Sequence, residues 1–398
     1  MTADAASATR DALVQSGARQ DCERIGRVTG SVGVGRLVLC CLLALVVLVG
    51  LAGPQAGSAH AGSDSVNPPL SDVAEVVAGS YHTCARLVSG QARCWGYNAH
   101  GGLGDGTTAN RLRPVVVSNE AGTGPLTGIA EIAAGIYHSC ALLVSGQARC
   151  WGYNDEGGLG DGTTANRLRP VVVSNEAGTG PLTGIAEITA GGAHTCARLV
   201  SGQARCWGFN SYGGLGDGTT NHRARPVVVS NEAGTGPLTG IAEMSAGGYH
   251  ACARLVSAKA RCWGYNRHGE LGDGTTSRRV RPVVVSNGAG TGPLTGITEI
   301  SAGGPLTCAR LSGRQARCWG RNLYGGLGDG TTTNRARPVV VSIRTGPLTD
   351  IAQITAGTYH SCARLESGQA RCWGYNSDGR LGDGTTTNRV RPVFVLSP

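Results

Sequence analysis

Residues 82–105 read HTCARLVSGQARCWGYNAHGGLGD, and the chain then repeats this stretch with small changes five more times. The CWG core returns with tryptophan at 95, 151, 207, 263, 319 and 373, at steps of 56, 56, 56, 56 and 54 residues. These are all the tryptophans in 398 residues, so each repeat holds one large aromatic core residue. Self-similarity at a period near 50 residues marks a solenoid or a propeller, in which a unit buries its apolar faces by stacking on its neighbours.

The first repeat offers four strand candidates: VAEVVA at 73–78, HTCARLV at 82–88, ARCWGY at 92–97 and RPVVVS at 113–118. Ser89-Gly90-Gln91 between the second and third is a short hairpin connection. Pro114 is expected at the start of the fourth strand, where no ladder hydrogen bond is asked of it. Four short strands per period make a propeller blade. The expected fold is therefore all-β, a β-propeller of four-stranded blades whose six repeats give six blades rather than seven. The 65 glycines and the low charged fraction, 15%, suit such a turn-rich chain. Closure is also legible as an expectation: no RPVVV strand precedes the first repeat, and RPVFVL at 391–396 ends the last. That terminal strand should pair beside the first repeat and remove two exposed edges.

Residues 1–61 lie outside the repeat. Arg24, Arg27 and Arg36 precede a mostly apolar run at 37–52, then Gly53-Pro54 and a small-residue stretch ending Ala59-His60-Ala61. Basic, apolar, then A-x-A is the order of a secretory signal, with cleavage after Ala61; retention of the segment as a membrane anchor is the alternative. Residues 62–70 are then a linker and 71–398 the propeller domain. The cysteines point to export independently. Twelve of the fifteen fall two per repeat: Cys84 with Cys94, Cys140 with Cys150, Cys196 with Cys206, Cys252 with Cys262, Cys308 with Cys318, and Cys362 with Cys372, each pair ten residues apart. Evenly placed cysteines in an exported chain read as a disulfide framework, here one bond per blade. The localisation expected is secreted or cell-surface.

The motif HTCARLVSGQARCWGYNAHGGLGDGTT resembles the regulator of chromosome condensation repeat family, over about residues 71–398. The resemblance implies a propeller of four-stranded blades, usually seven, so six units depart from the family's count. The cysteine pairs resemble exported bacterial versions, and export argues against the nuclear exchange-factor activity of that family. The fold hosts exchange factors, ligase-associated modules and secreted enzyme inhibitors, so fold alone does not assign function.

The repeated polar residues read as structural. A metal site from His82, Cys84 and Cys94 fails in the fifth repeat, where Leu306 replaces the histidine, and C-x9-C is not a usual zinc spacing. A histidine present in almost every blade suits satisfaction of backbone groups or packing between blades better than catalysis. The aspartates of GDGTT, such as Asp105, offer one carboxylate per loop and fit an Asx turn rather than calcium. No catalytic residue, metal or cofactor is expected. The net charge is +9, and +8 without residues 1–61; arginine pairs such as Arg111 and Arg113 before each proline strand could form a basic ring for an anionic cell-surface polymer.

A specific surface must be sought where the repeats disagree. After WGxN the variable positions supply His100, Glu156, Tyr212, Arg267, His268, Tyr324 and Asp378, and the residue before the histidine is Tyr81, Tyr137, Ala193, Tyr249, Pro305 or Tyr359. Aromatic and charged loop tips on a rigid array are what recognition uses. The function expected is an exported, non-catalytic scaffold that binds a protein through these tips. A polysaccharide- or polyanion-binding module, a secreted enzyme inhibitor and a hydrolase or lyase with a central-channel site are the alternatives. Nucleic acid is not an expected partner, and membrane association is expected only through an uncleaved N-terminal segment.

Overall fold

Short alternating strands joined by glycine turns fold each repeat into one antiparallel sheet. In the computed structural model, which describes residues 69–397, the first sheet runs β1 (Val73–Ala78), β2 (His82–Leu87), β3 (Ala92–Gly96) and β4 (Arg111–Val116) in sequence order. Five more sheets of the same order follow, giving six four-stranded blades with no helix among the described residues. Strand β1 and its counterparts pack on one another from blade to blade and form the inner layer, with β4 and its counterparts outermost. The expected signal or anchor at 1–61 and the linker up to residue 68 lie outside the described residues.

Strand β4 begins two residues earlier than the sequence suggests, and Pro114 sits within it rather than at its start. The register explains why it is tolerated: Cys94 faces Val115 and Gly96 faces Arg111, so Leu112, Arg113 and Pro114 bulge opposite the single residue Trp95. A bulge on an outer strand asks no ladder donor of proline. Between β2 and β3 the register sets Cys84 directly opposite Cys94, and a disulfide joins them. The later blades carry the same staple, joining Cys140 to Cys150, Cys196 to Cys206 and Cys252 to Cys262. Cys308 is likewise joined to Cys318 and Cys362 to Cys372, so every expected pair is bonded within its own blade. The 54-residue step comes from a shortened connection, where Ser342–Ile343 and Gly346–Pro347 form a small two-stranded ribbon before the sixth blade.

Blades join by one repeated junction. The loop after β3 carries Gly104, whose φ is +68° and whose missing Cβ leaves room for the indole of Trp151 from the next blade; an added Cβ would lie 2.8 Å from Nε1. The indole N–H of Trp151 donates to the Gly102 carbonyl at 2.9 Å, and the Ser139 hydroxyl donates to that same carbonyl. Because Ser139 gives its only proton there, His82 Nε2, 2.7 Å from Ser139 Oγ, is the donor in their bond. In the first, second and fourth blades the repeated histidine therefore ties the blade to a hydroxyl of the next. Cys84, Leu103 and Val117 of the first blade pack with Ile129, Ile132 and Trp151 of the second in one apolar cluster, and similar clusters fill the later junctions.

The terminal strand does not close a ring. Arg389–Phe394 pairs only with Ala370–Gly374 of its own sheet, and among the described residues no strand packing of the kind seen at the other junctions links the sixth blade to the first. Each repeat already contains all four strands of its blade, so no edge is left waiting for a strand from the far end. The six blades form an open propeller arc.

Candidate recognition face

The residue before each second strand and the residue after each third strand lie at the same end of the sheet, since His82 pairs with Gly96 in register. Tyr81 and Tyr97 thereby meet, with ring centroids 6.0 Å apart, and Tyr81 stacks on Tyr137 of the next blade at 5.1 Å. The variable loop tips come to this same end. His100 lies 5.3 Å from Tyr137 and 5.2 Å from Tyr153. Tyr212 lies 5.5 Å from Tyr249 and 4.9 Å from Tyr265, and Tyr324 lies 5.6 Å from Tyr359 and 4.8 Å from Tyr375. Three predicted tip residues thus join three aromatic clusters at alternate blade junctions, in edge-to-face and tilted arrangements favoured by ring quadrupoles.

The two intervening junctions carry charge instead. Ala193 and Pro305 stand there in place of tyrosine, and Glu156 and His268 are the tip residues. Burial, and then the carboxylates of Glu156 and Asp155, raise the Tyr153 phenol above its ordinary value. His268 Nδ1 lies 3.4 Å from Asn334 Nδ2, Arg267 is exposed beside it, and Asp378 pairs with Arg380 at 2.6 Å. Sequence reasoning missed two groups on this face. One is the residue after CWG itself, Tyr97, Tyr153, Phe209, Tyr265, Arg321 or Tyr375, which reads as scaffold because it is nearly invariant. The other is Glu270, fully buried where four of the other repeats have glycine and the sixth has Arg380; its carboxyl is pushed up to about 7 by burial, and one oxygen accepts the His268 N–H at 2.9 Å. The break from GGLGD to GELGD was its available signal.

The loop aspartates form the expected Asx turns and one further bond. Asp105 accepts from Thr107 N and Oγ1 at 3.0 and 2.8 Å and pairs with Arg111 at 2.7 Å. Burial pushes its carboxyl up, but the hydrogen bonds from Thr107 and Arg111 outweigh this and hold it below the usual range. The same ion pair recurs in every blade, so the first arginine of each pair is committed to its own loop. The second differs: Arg169, Arg225, Arg281 and Arg337 lie over the glycines of the preceding blade and stay exposed along the outer edge.

A disulfide-stapled all-β array with glycine loops seating the next blade's tryptophan defines a propeller of the repeat type. Two sequence profiles, both described as regulator of chromosome condensation (RCC1) repeat, match it. One covers 89–142, 145–198, 201–254, 262–310 and 318–364, and the other covers 73–101, 129–157, 185–213, 241–270 and 351–380. The chain belongs to this family. The second profile passes over the start of the fifth repeat, where Pro305 and Leu306 break the pattern. The ultraviolet-B receptor UVR8 of Arabidopsis thaliana is 28% identical over 327 residues, 81% of this chain and 70% of that protein. The human E3 ubiquitin-protein ligase HERC2 is 26% identical over 81% of this chain, which spans only 6% of HERC2. Among solved structures, human WBSCR16 superposes with a TM-score of 0.68 at 18% identity over 82% of each chain. Prp20p from Saccharomyces cerevisiae, described with its binding properties to Gsp1p and histones, gives 0.66 at 20% identity over 81% of this chain and 76% of its own. At these identities the structures establish the shared fold.

Proposed function

We propose that the protein is an exported, non-catalytic scaffold that recognises a protein partner through its loop-tip face. What supports this reading is the gathering of His100, Tyr212 and Tyr324 into aromatic clusters at one end of the blades, separated by junctions bearing Glu156, Arg267 and His268. Rigid, partly exposed aromatics interleaved with charge give large contact area at small entropic cost, which is the make-up of interface hot spots. Among structures of the same fold, Prp20p is described with its binding properties to Gsp1p and histones. The test is capture of partners from the producing cells' surface and medium, eluted on a salt gradient, with the Tyr212→Ala, His268→Ala, Tyr324→Ala triple variant as control. A discrete protein retained at high salt by the wild type and lost, by at least tenfold in affinity, from the variant is the expected result. Equal retention by both refutes the assignment.

One observation favours a second reading. The exposed row Arg169, Arg225, Arg281 and Arg337 presents one arginine from each of four successive blades along the outer edge, a basic surface of the kind that attracts an anionic polymer. Binding that disappears at moderate salt and is insensitive to the triple variant would move the function there.

A further inference from the structure

The connections between blades carry an acid at the first three junctions and lose it at the last two. Glu120 pairs with Arg149 of the second blade and Glu176 with Arg205 of the third, and Glu232 stands 3.8 Å from Arg261 of the fourth. At the same place the next connection has Gly288, and the shortened last one has Arg344. Arg317 and Arg371, the counterparts of Arg149 in the fifth and sixth blades, are left without a carboxylate partner among the described residues. Arg317 keeps the pose of the paired arginines: its Nη1 donates to the Ala316 carbonyl at 3.3 Å, as Arg149 and Arg205 donate to theirs at 3.2 Å. Arg371 lies 3.5 Å over the Phe394 ring, and its Nε has no hydrogen-bond partner. Burial pulls both guanidinium groups below their ordinary value.

The surroundings favour an anion. Residues 297–398 carry twelve arginines against six acids, whereas 69–296 hold eighteen basic residues against fifteen acids, so the last two blades draw negative charge more strongly than the four before them. The place of the missing acid also opens to solvent, since Glu120 and Glu176 keep 47% of their side-chain surface exposed while they bond. The first two junctions thus show the group that fits: a glutamate carboxylate presented by a polypeptide loop, in a charge-assisted bond to the guanidinium. We propose that Arg317 and Arg371 form a binding site for an acidic segment of a partner protein, whose carboxylates take the places that Glu120 and Glu176 hold in the earlier blades. Arg344, exposed in the connection between the two blades, adds positive charge there. Two such places on successive blades hold one segment more tightly than either alone. Arg317 lies toward the hairpin end of the strand Ala316–Gly320, and the loop tip follows its other end, so this site is separate from the loop-tip face.

The test is fluorescence anisotropy of a fluorescein-labelled, amidated dodecapeptide of alternating glutamate and glycine, titrated with the full chain in mild detergent because of the apolar run at 37–52. The wild type is expected to bind it and not the glutamine–glycine analogue. Gly288→Glu with Arg344→Glu supplies the missing acids internally and is expected to weaken binding at least tenfold. Glutamate is what the earlier connections carry at this place, and near-ultraviolet circular dichroism checks that the fold is kept. Val88→Glu, Val144→Glu and Val200→Glu together change the net charge equally at exposed sites in the first three blades and are expected to leave binding nearly unchanged. Glu120→Gly with Glu176→Gly uncovers Arg149 and Arg205 and is expected to raise the number of peptides bound per chain. No binding by the wild type, equal weakening by the valine and connection variants, or tighter binding of hexagalacturonate, which carries the same number of carboxylates on a sugar chain, would each overturn the proposal.

Discussion

The junction between the third and fourth blades lacks one hydroxyl, and restoring it should stabilise the fold. His82, His138 and His250 each reach a serine or threonine oxygen of the next blade at 2.7–2.9 Å. For His194 the corresponding residue is Ala251, and both ring nitrogens of His194 are buried with no partner. A buried polar group left unsatisfied costs about 1–3 kcal/mol. In Ala251→Ser the new hydroxyl would accept from His194 Nε2 and donate to the Gly214 carbonyl, which already takes the Trp263 indole at 2.9 Å. A carbonyl has two lone pairs, and Gly102 accepts the equivalent pair of donors. Offsetting the desolvation of the added hydroxyl leaves about 1 kcal/mol, or about 2 °C in melting temperature for a domain of this size. The reverse change, Ser139→Ala, strands His82 and should cost about 1–2 kcal/mol. Urea midpoints read by tryptophan fluorescence, with disulfides intact, measure both. The reasoning is refuted if Ala251→Ser lowers the midpoint or leaves it unchanged while Ser139→Ala costs nothing.

Other expectations concern pH, charge and crosslinks. Burial holds His82 and His194 down to about 4 and His138 and His250 down to about 3, so the folded state keeps them neutral. Their contribution is present above the unfolded value near 6.5 and is lost as pH falls toward 3; a urea midpoint that does not decline below pH 6 on their account, judged against a His138→Gln variant, contradicts this. Glu131 behaves oppositely: burial, then the neighbouring Glu187, raises it to about 7, because Leu142 stands where other blades have an arginine partner. The protonated form favours the fold, so that contribution is complete below about 4.5 and lost as pH rises through 7. Glu131→Gln keeps the oxygen that accepts Ile188 N and should therefore add about 1–3 kcal/mol at pH 8 and almost nothing at pH 4, measured as midpoint differences. Replacing Cys140 and Cys150 together by alanine should lower unfolding free energy by about 2–3 kcal/mol, since their bond closes a loop of about eleven residues; an unchanged midpoint under oxidising conditions counts against that.

The blade was legible from the sequence because its causes are local. Period, strand alternation, the turn glycine at 90 and the opposed cysteines depend on neighbours within about twenty residues, and the structure places them as read. The outer strand was displaced by two residues because the bulge opposite Trp95 is a pairing property of two strands, and the sequence marks only Pro114. On the candidate face, the repeats differ at the tips, which the sequence therefore marks, whereas Tyr153 and Tyr265 are nearly invariant and carry no such mark. Their role comes from side chains contributed by adjacent blades.

The unit is a local matter, written into each repeat: an antiparallel four-stranded sheet, stapled once, repeated six times. How the units meet, and whether they close, is settled by packing between blades. Closure depends on the rotation from each blade to the next, set by how Trp151 seats on Gly104 and Ile132 packs on Leu103, and small angles there accumulate over five junctions. A repeat count carries no such angle, so the expected ring is instead an open arc of six blades.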